Sequence, residues 1–136
     1  MTPETILNAA VGVLAERGRC FGNYEYAGEV CVMGALAVAA GKKPAYWLEL
    51  QEAAASAVAQ SLDTIDHALI AAAYRLAAVV VPPLGEISVE DLCVLIGHWH
   101  DGERHLGDVR PKNSEVRDAL ILASLSSPAE QIGASA

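Results

Sequence analysis

Cys31 and a late polar run holding His98, His100, Asp101 and His105 are the residues whose types could do covalent chemistry. Cys31 falls at the predicted start of a helix, where unpaired backbone amides and the positive end of the dipole favour a thiolate. With an imidazole base from His98, His100 or His105, and Asp101 to orient it, the set would make a Cys/His/Asp arrangement suited to acyl transfer. Packing competes with that reading. Free cysteine is among the most buried residue types, and Cys31 leads into the small apolar run Val32, Met33, Gly34, Ala35. The stretch around Gly34 therefore reads as interior filling that lets another helix approach closely, and Cys31, His98, His100 and Asp101 stand as the catalytic alternative.

The same residues, with Cys20, include enough ligands for a tetrahedral zinc ion, but their spacing argues against one. There is no Cys-x-x-Cys pair, and His98 and His100 would point the same way only on an extended segment. Neither a metal nor a cofactor is expected. The histidines read as solvated loop residues with Trp99 anchoring the loop in the core, and His67, beside Asp63 and Asp66, as an ordinary surface residue. Phe21, Tyr24 and Tyr26 differ, because loops that display tyrosine are frequent contact surfaces; with Trp99 they form the candidate binding set. No glycine-rich phosphate loop or paired-carboxylate signature accompanies them.

The elements that must hold these residues are mainly helical. Thr2 and Pro3 open a helix with an apolar stripe from Ile6 to Leu14, and Gly18 stops it. Residues 20–30 read as a loop or short hairpin turning near Ala27 and Gly28. A short buried helix follows from Cys31 to Ala40, ended by Gly41 with Lys42 and Lys43 as helix-end charges. Pro44 can open a third helix running to about Leu62, and Asp63 or Thr64 caps a fourth that ends before Pro82 and Pro83. Ser88, three residues before Asp91, resembles a capping box for a fifth. His98 to Asn113 reads as a loop, and a last helix runs from Asn113 or Ser114 to about Ala123. The expected fold is an all-α bundle of five to six helices over residues 1–124, with 125–136 as a tail. Its interior should come from the first, fourth, fifth and last helices.

Composition excludes several classes of function. At 136 residues the chain suits one domain, and 53% hydrophobic content with only 5% aromatic means that small helix formers supply the core. The longest apolar stretch, Ala68 to Pro83, is broken by Arg75 and falls short of the roughly 20 residues that span a bilayer. Glu4 sits where a signal peptide would be basic, so no membrane role and a cytoplasmic location are expected. Three cysteines without a secretory signal imply reduced thiols. A net charge of -8, with no more than two adjacent Lys or Arg residues, argues against nucleic acid as a partner.

Set in order, these segments resemble a family of small uncharacterised proteins of actinobacteria and their phages. The likeness is carried by Glu16-Arg17-Gly18-Arg19-Cys20-Phe21-Gly22, by Cys31-Val32-Met33-Gly34-Ala35-Leu36, by Trp99-His100-Asp101 and by Glu115-Val116 with Leu120. The chain departs from that pattern at Arg19, where tryptophan is frequent, and at His100, where asparagine is usual. The resemblance implies a phage or actinobacterial setting and no particular activity. The function expected is a non-enzymatic module acting through a protein partner or homo-oligomer. A Cys31 hydrolase or transferase and a small-molecule binder, its pocket lined by Trp47, Trp99 and the tyrosines, are the alternatives.

Overall fold

Thr2 accepts a hydrogen bond from the Thr5 amide at 3.2 Å, and Pro3 then opens a helix that Gly18 ends at φ +83°. The computed structural model describes residues 1–56, 62–81, 85–102 and 109–126, and in it this helix is α1, Pro3–Arg17. A hairpin follows, β1 (Glu25–Tyr26) against β2 (Glu29–Val30), its turn at Ala27 and Gly28 with both φ positive, as a two-residue hairpin loop requires. The Cys20 amide donates to the Val30 carbonyl at 3.1 Å, and the Val30 amide to the Gly18 carbonyl at 3.0 Å. The chain then forms α2 (Val32–Ala39), α3 (Tyr46–Ala55), α4 (Thr64–Val80), α5 (Val89–Asp101) and α6 (Asn113–Leu125). The fold is therefore all-α, a small bundle with one two-stranded hairpin.

The expected centre of the bundle shifts. The first, fourth, fifth and last helices do pack together, but α2 lies among α1, α3, α4 and α5, with every residue from Val32 to Ala37 buried. Its small side chains allow that many neighbours to approach at once. Trp47 of α3 is fully buried and donates from Nε1 to the Met33 carbonyl at 2.7 Å, which pins α3 to α2. Gly34 makes room for a loop, and no helix takes that space: a Cβ there would stand 2.3 Å from the Tyr24 carbonyl oxygen and 3.3 Å from the Pro44 Cβ.

Two boundaries also differ. Residues 98–101 are helical, because α5 is ended by Gly102 at φ +67° and the polar residues before it face a partner loop. Pro44 precedes α3 by two residues, and α3 ends at Ala55; residues 57–61, into which the third helix was expected to continue, lie outside the described residues, as do Pro82, Pro83, His105 and 127–136. Asp63, and not Thr64, caps α4 through a reciprocal box with Asp66 (2.8 and 3.1 Å), whereas Ser88 supplies one side of a box only.

Arg75, read in the sequence as an interruption of an apolar run, is buried and joins two helix ends. Its guanidinium pairs with Glu4 in the first turn of α1 and donates to the Ser124 and Ser126 carbonyls at the end of α6. Replacing Gly34 with alanine forces a methyl group into a backbone carbonyl that cannot rotate away. Gly34→Ala is expected to destabilise the protein by about 1–3 kcal/mol. A lower urea midpoint at unchanged slope checks this.

Candidate functional site

Arg19 follows the glycine that ends α1, so its side chain reaches the last turn of α5 and the first of α6. Its guanidinium donates from every nitrogen and accepts at none. Nε donates to His100 Nε2 at 3.0 Å, Nη2 to the His100 carbonyl at 3.2 Å, and Nη1 to the Pro111 carbonyl (2.8 Å) and Asn113 Oδ1 (2.9 Å). Since arginine cannot accept, His100 Nε2 must present its lone pair. The ring proton then belongs on Nδ1, which donates to Asp101 Oδ1 at 3.0 Å.

The other Asp101 oxygen, Oδ2, accepts the Gly22 amide at 3.1 Å, tying the segment after Arg19 to the end of α5. Phe21 fills the space between, with its ring centre 3.7 Å from the Arg110 guanidinium, 4.9 Å from that of Arg19 and 5.3 Å from the His100 ring. Arg110 in turn donates from Nε to the Asp101 carbonyl at 3.0 Å. Gly102 is what lets Arg110 pass: a Cβ on it would come within 2.3 Å of the Arg110 backbone nitrogen. His100 is fully buried, which its two hydrogen-bonded nitrogens permit.

The same loop walls a cavity of about 330 Å³. Gly22, Asn23 and Tyr24 form one side, Cys31 to Met33 at the start of α2 another, and Cys93, Gly97, His100 and Asp101 of α5 the third. Cys31 does cap α2, and its sulfur accepts the Gly34 amide at 3.3 Å. Burial outweighs the helix end, however, and pushes the thiol up to about 11. Burial also pushes Cys93 up to about 11 and raises Tyr24, whose hydroxyl accepts Gln51 Nε2 at 3.1 Å. The cavity wall at neutral pH is thus protonated thiols and phenol, with Asp101 at its edge.

The residues singled out in the sequence divide accordingly. Cys31, His100 and Asp101 line one cavity, yet among the described residues no hydrogen bond joins the sulfur to an imidazole, and both His100 nitrogens are committed elsewhere. His100 is a buried bonded residue and not a solvated one, and Trp99 is half-buried against the core. His98 and His100 lie on a helix, where residues two apart diverge. Of the aromatic loop, Tyr26 is exposed, Tyr24 lines the cavity and Phe21 is sandwiched by cations. Among the described residues no three His, Cys, Asp or Glu side chains are placed to hold a metal ion. Nor is any helix there long and apolar enough to cross a membrane.

Arg19, Arg110 and Gly97 are the members to which sequence reasoning assigned no role, Gly97 because it stands where the fifth helix was expected to give way to a loop. Burial first, and then the Arg19 and Arg110 charges, hold His100 below its ordinary pKa against the opposing pull of Asp101. The folded state therefore binds this proton less tightly than the unfolded chain, whose histidine titrates near about 6.5. Stability is expected to be level above that pH and to fall as pH drops through it toward the lowered folded value. A separate loss near about pH 4 follows from Glu4, held low by Arg75. Chemical denaturation across the pH range checks both steps, and His100→Gln should remove the upper one alone.

No curated protein and no solved structure matches the chain. A family model does, over residues 1–111, that of a family of unknown function designated DUF6197. With most of its length so matched, the chain belongs to the DUF6197 family.

Proposed function

We propose that the domain binds a small molecule in the cavity between the 22–24 segment, α2 and α5, and does not transform it. The observation that carries this is convergence: three separate elements leave a space of about 330 Å³, lined by Val32, Met33 and two thiols together with Asn23, Tyr24, His100 and Asp101. Ligand pockets start at about 300 Å³, and about 150 Å³ already holds a benzene ring. The ligand class favoured is compact, not anionic, and aromatic or otherwise polarisable. An anion would meet Asp101, which lines the cavity, and the sulfur atoms of Met33, Cys31 and Cys93 favour a ring. The Cys31 hydrolase reading draws less support, because its thiol is protonated at neutral pH and the His100 lone pair is already occupied. An actinobacterial or phage cytoplasm is proposed as the setting on the motif resemblance alone.

Gly97 provides the test. A Cβ added there meets nothing within 4 Å, and Gly97 lines the cavity, so Gly97→Leu should extend into that space while leaving the fold intact. Indole at millimolar concentration is expected to shift the amide resonances of Tyr24, Met33 and Gly97 in the wild-type protein and to leave Gly97→Leu unaffected. Indole-3-acetate, of similar size but charged, should bind more weakly. If neither indole nor phenol perturbs those signals, the reading fails.

A second reading, self-association, rests on a different surface. Tyr26 is 67% exposed at the hairpin, and on α6 Leu122 and Leu125 are 55% and 77% exposed, with Ile121 beside them. Adjacent apolar side chains on one helix face suit a second copy of the chain. Sedimentation should then show a concentration-dependent dimer that Leu122→Glu abolishes; a monomer at all concentrations discards this reading.

A further inference from the structure

The contact between Arg19 and His100 works in only one protonation state. With the ring neutral, Nε2 offers a lone pair to Arg19 Nε at 3.0 Å, and Nδ1–H faces Asp101. Protonation puts a hydrogen on Nε2, so two donors and two cations would confront each other across that distance. We propose that Arg19 and His100 form a proton-operated latch, which holds residues 19–24 against the end of α5 at neutral pH and releases them in mild acid, widening a cavity that is already partly open to solvent and in which Cys31 is half-buried.

The charges around the ring favour release. Asp101, on the same helix, is the acidic group in contact with it. Arg19 comes from the segment after α1, and Arg110 from the segment before α6, where Asn113 contributes a neutral carbonyl to Arg19. Across the cavity, Tyr24, Cys31 and Cys93 are uncharged in this pH range, since burial raises all three. A protonated His100 would thus place a third cation beside one carboxylate, and it would be the buried one: the imidazole is fully buried while Arg19 and Asp101 are half-buried and Arg110 is exposed.

The latch also sits where its release has an effect. Two of the bonds that hold the 19–24 segment to α5 end on His100, one on its ring and one on its backbone carbonyl, and the Phe21 ring lies tilted beside the same imidazole at 5.3 Å. Gly22, Asn23 and Tyr24, which follow directly, form one wall of the cavity. On the α2 side the segment is held by the Cys31 amide donating to the Tyr24 carbonyl at 3.3 Å, a bond that no titration in this range touches. The segment therefore has a fixed edge on α2 and, on α5, an edge where the Arg19–imidazole bond depends on the His100 proton beside the Gly22–Asp101 and Arg19–carbonyl bonds, which do not. The device acts whether or not a ligand occupies the cavity, so it goes beyond the binding proposal and can fail separately from it.

Two measurements on the full chain test it. Nitrogen-15 NMR of the histidine side chains should show His100 as the Nδ1–H tautomer at about pH 7.5, which needs no variant. The rate at which dithiodipyridine labels Cys31, located by mass spectrometry and normalised to a free thiol peptide at each pH, should rise as pH falls toward about 5, by up to about tenfold per pH unit for one linked proton. In His100→Gln, whose amide oxygen can still accept from Arg19, the normalised rate should stay flat. An Nε2–H tautomer in the wild type, a rate that does not rise, or an equal rise in a folded His100→Gln overturns the proposal. Should His100→Gln not fold, Arg19→Gln serves in its place and should label rapidly at every pH; a slow rate there also overturns it.

Discussion

One contact, an arginine N–H against an imidazole lone pair, determines how the functional end of this protein is put together. Arginine has a single role in hydrogen bonding, so placing Arg19 Nε on His100 Nε2 decides the tautomer, and the tautomer decides that Asp101 is the partner on the far side. Asp101 then has one oxygen left for the Gly22 amide. The loop, α5 and α6 are joined through this sequence of obligations, and the cavity lies between the loop and α5 so joined and the start of α2.

Cys31 illustrates how two correct physical effects can oppose each other. The cysteine does lie at a helix start and does receive a backbone amide, both of which favour a thiolate. Removal from water disfavours the charge more, and the thiol ends above its usual value. Helix position is legible in a sequence; depth of burial is a property of the assembled fold. The chemistry suggested by the first therefore depends on the second.

Much of the fold was legible for reasons local to the chain. Thr2, Pro3 and Gly18 bracket α1, Ala27 and Gly28 make the hairpin turn, and Asp63 or Thr64 marks the start of α4, because caps and turns act over three or four residues. The last turn of α5 was missed because periodicity looks for an apolar face, and that turn is polar where it meets Arg19. Cys31, His100 and Asp101 were chosen for their chemistry, and they do share one cavity, but as its walls, with their bonds made to other groups. Arg19 and His100 are the two departures from the resembled pattern, 81 positions apart; that they bond to each other is long-range information no local rule carries.

A different arginine bears on how the molecule can be handled. Arg75 holds Glu4 near one end of the described chain and the Ser126 carbonyl near the other, so both ends leave the bundle beside the same buried guanidinium. A dye pair placed on the first turn of α1 and the last turn of α6 would stay close in the native protein and separate only when this junction comes apart, reporting on the pole built by α1, α4 and α6 and remaining blind to events at the cavity loop.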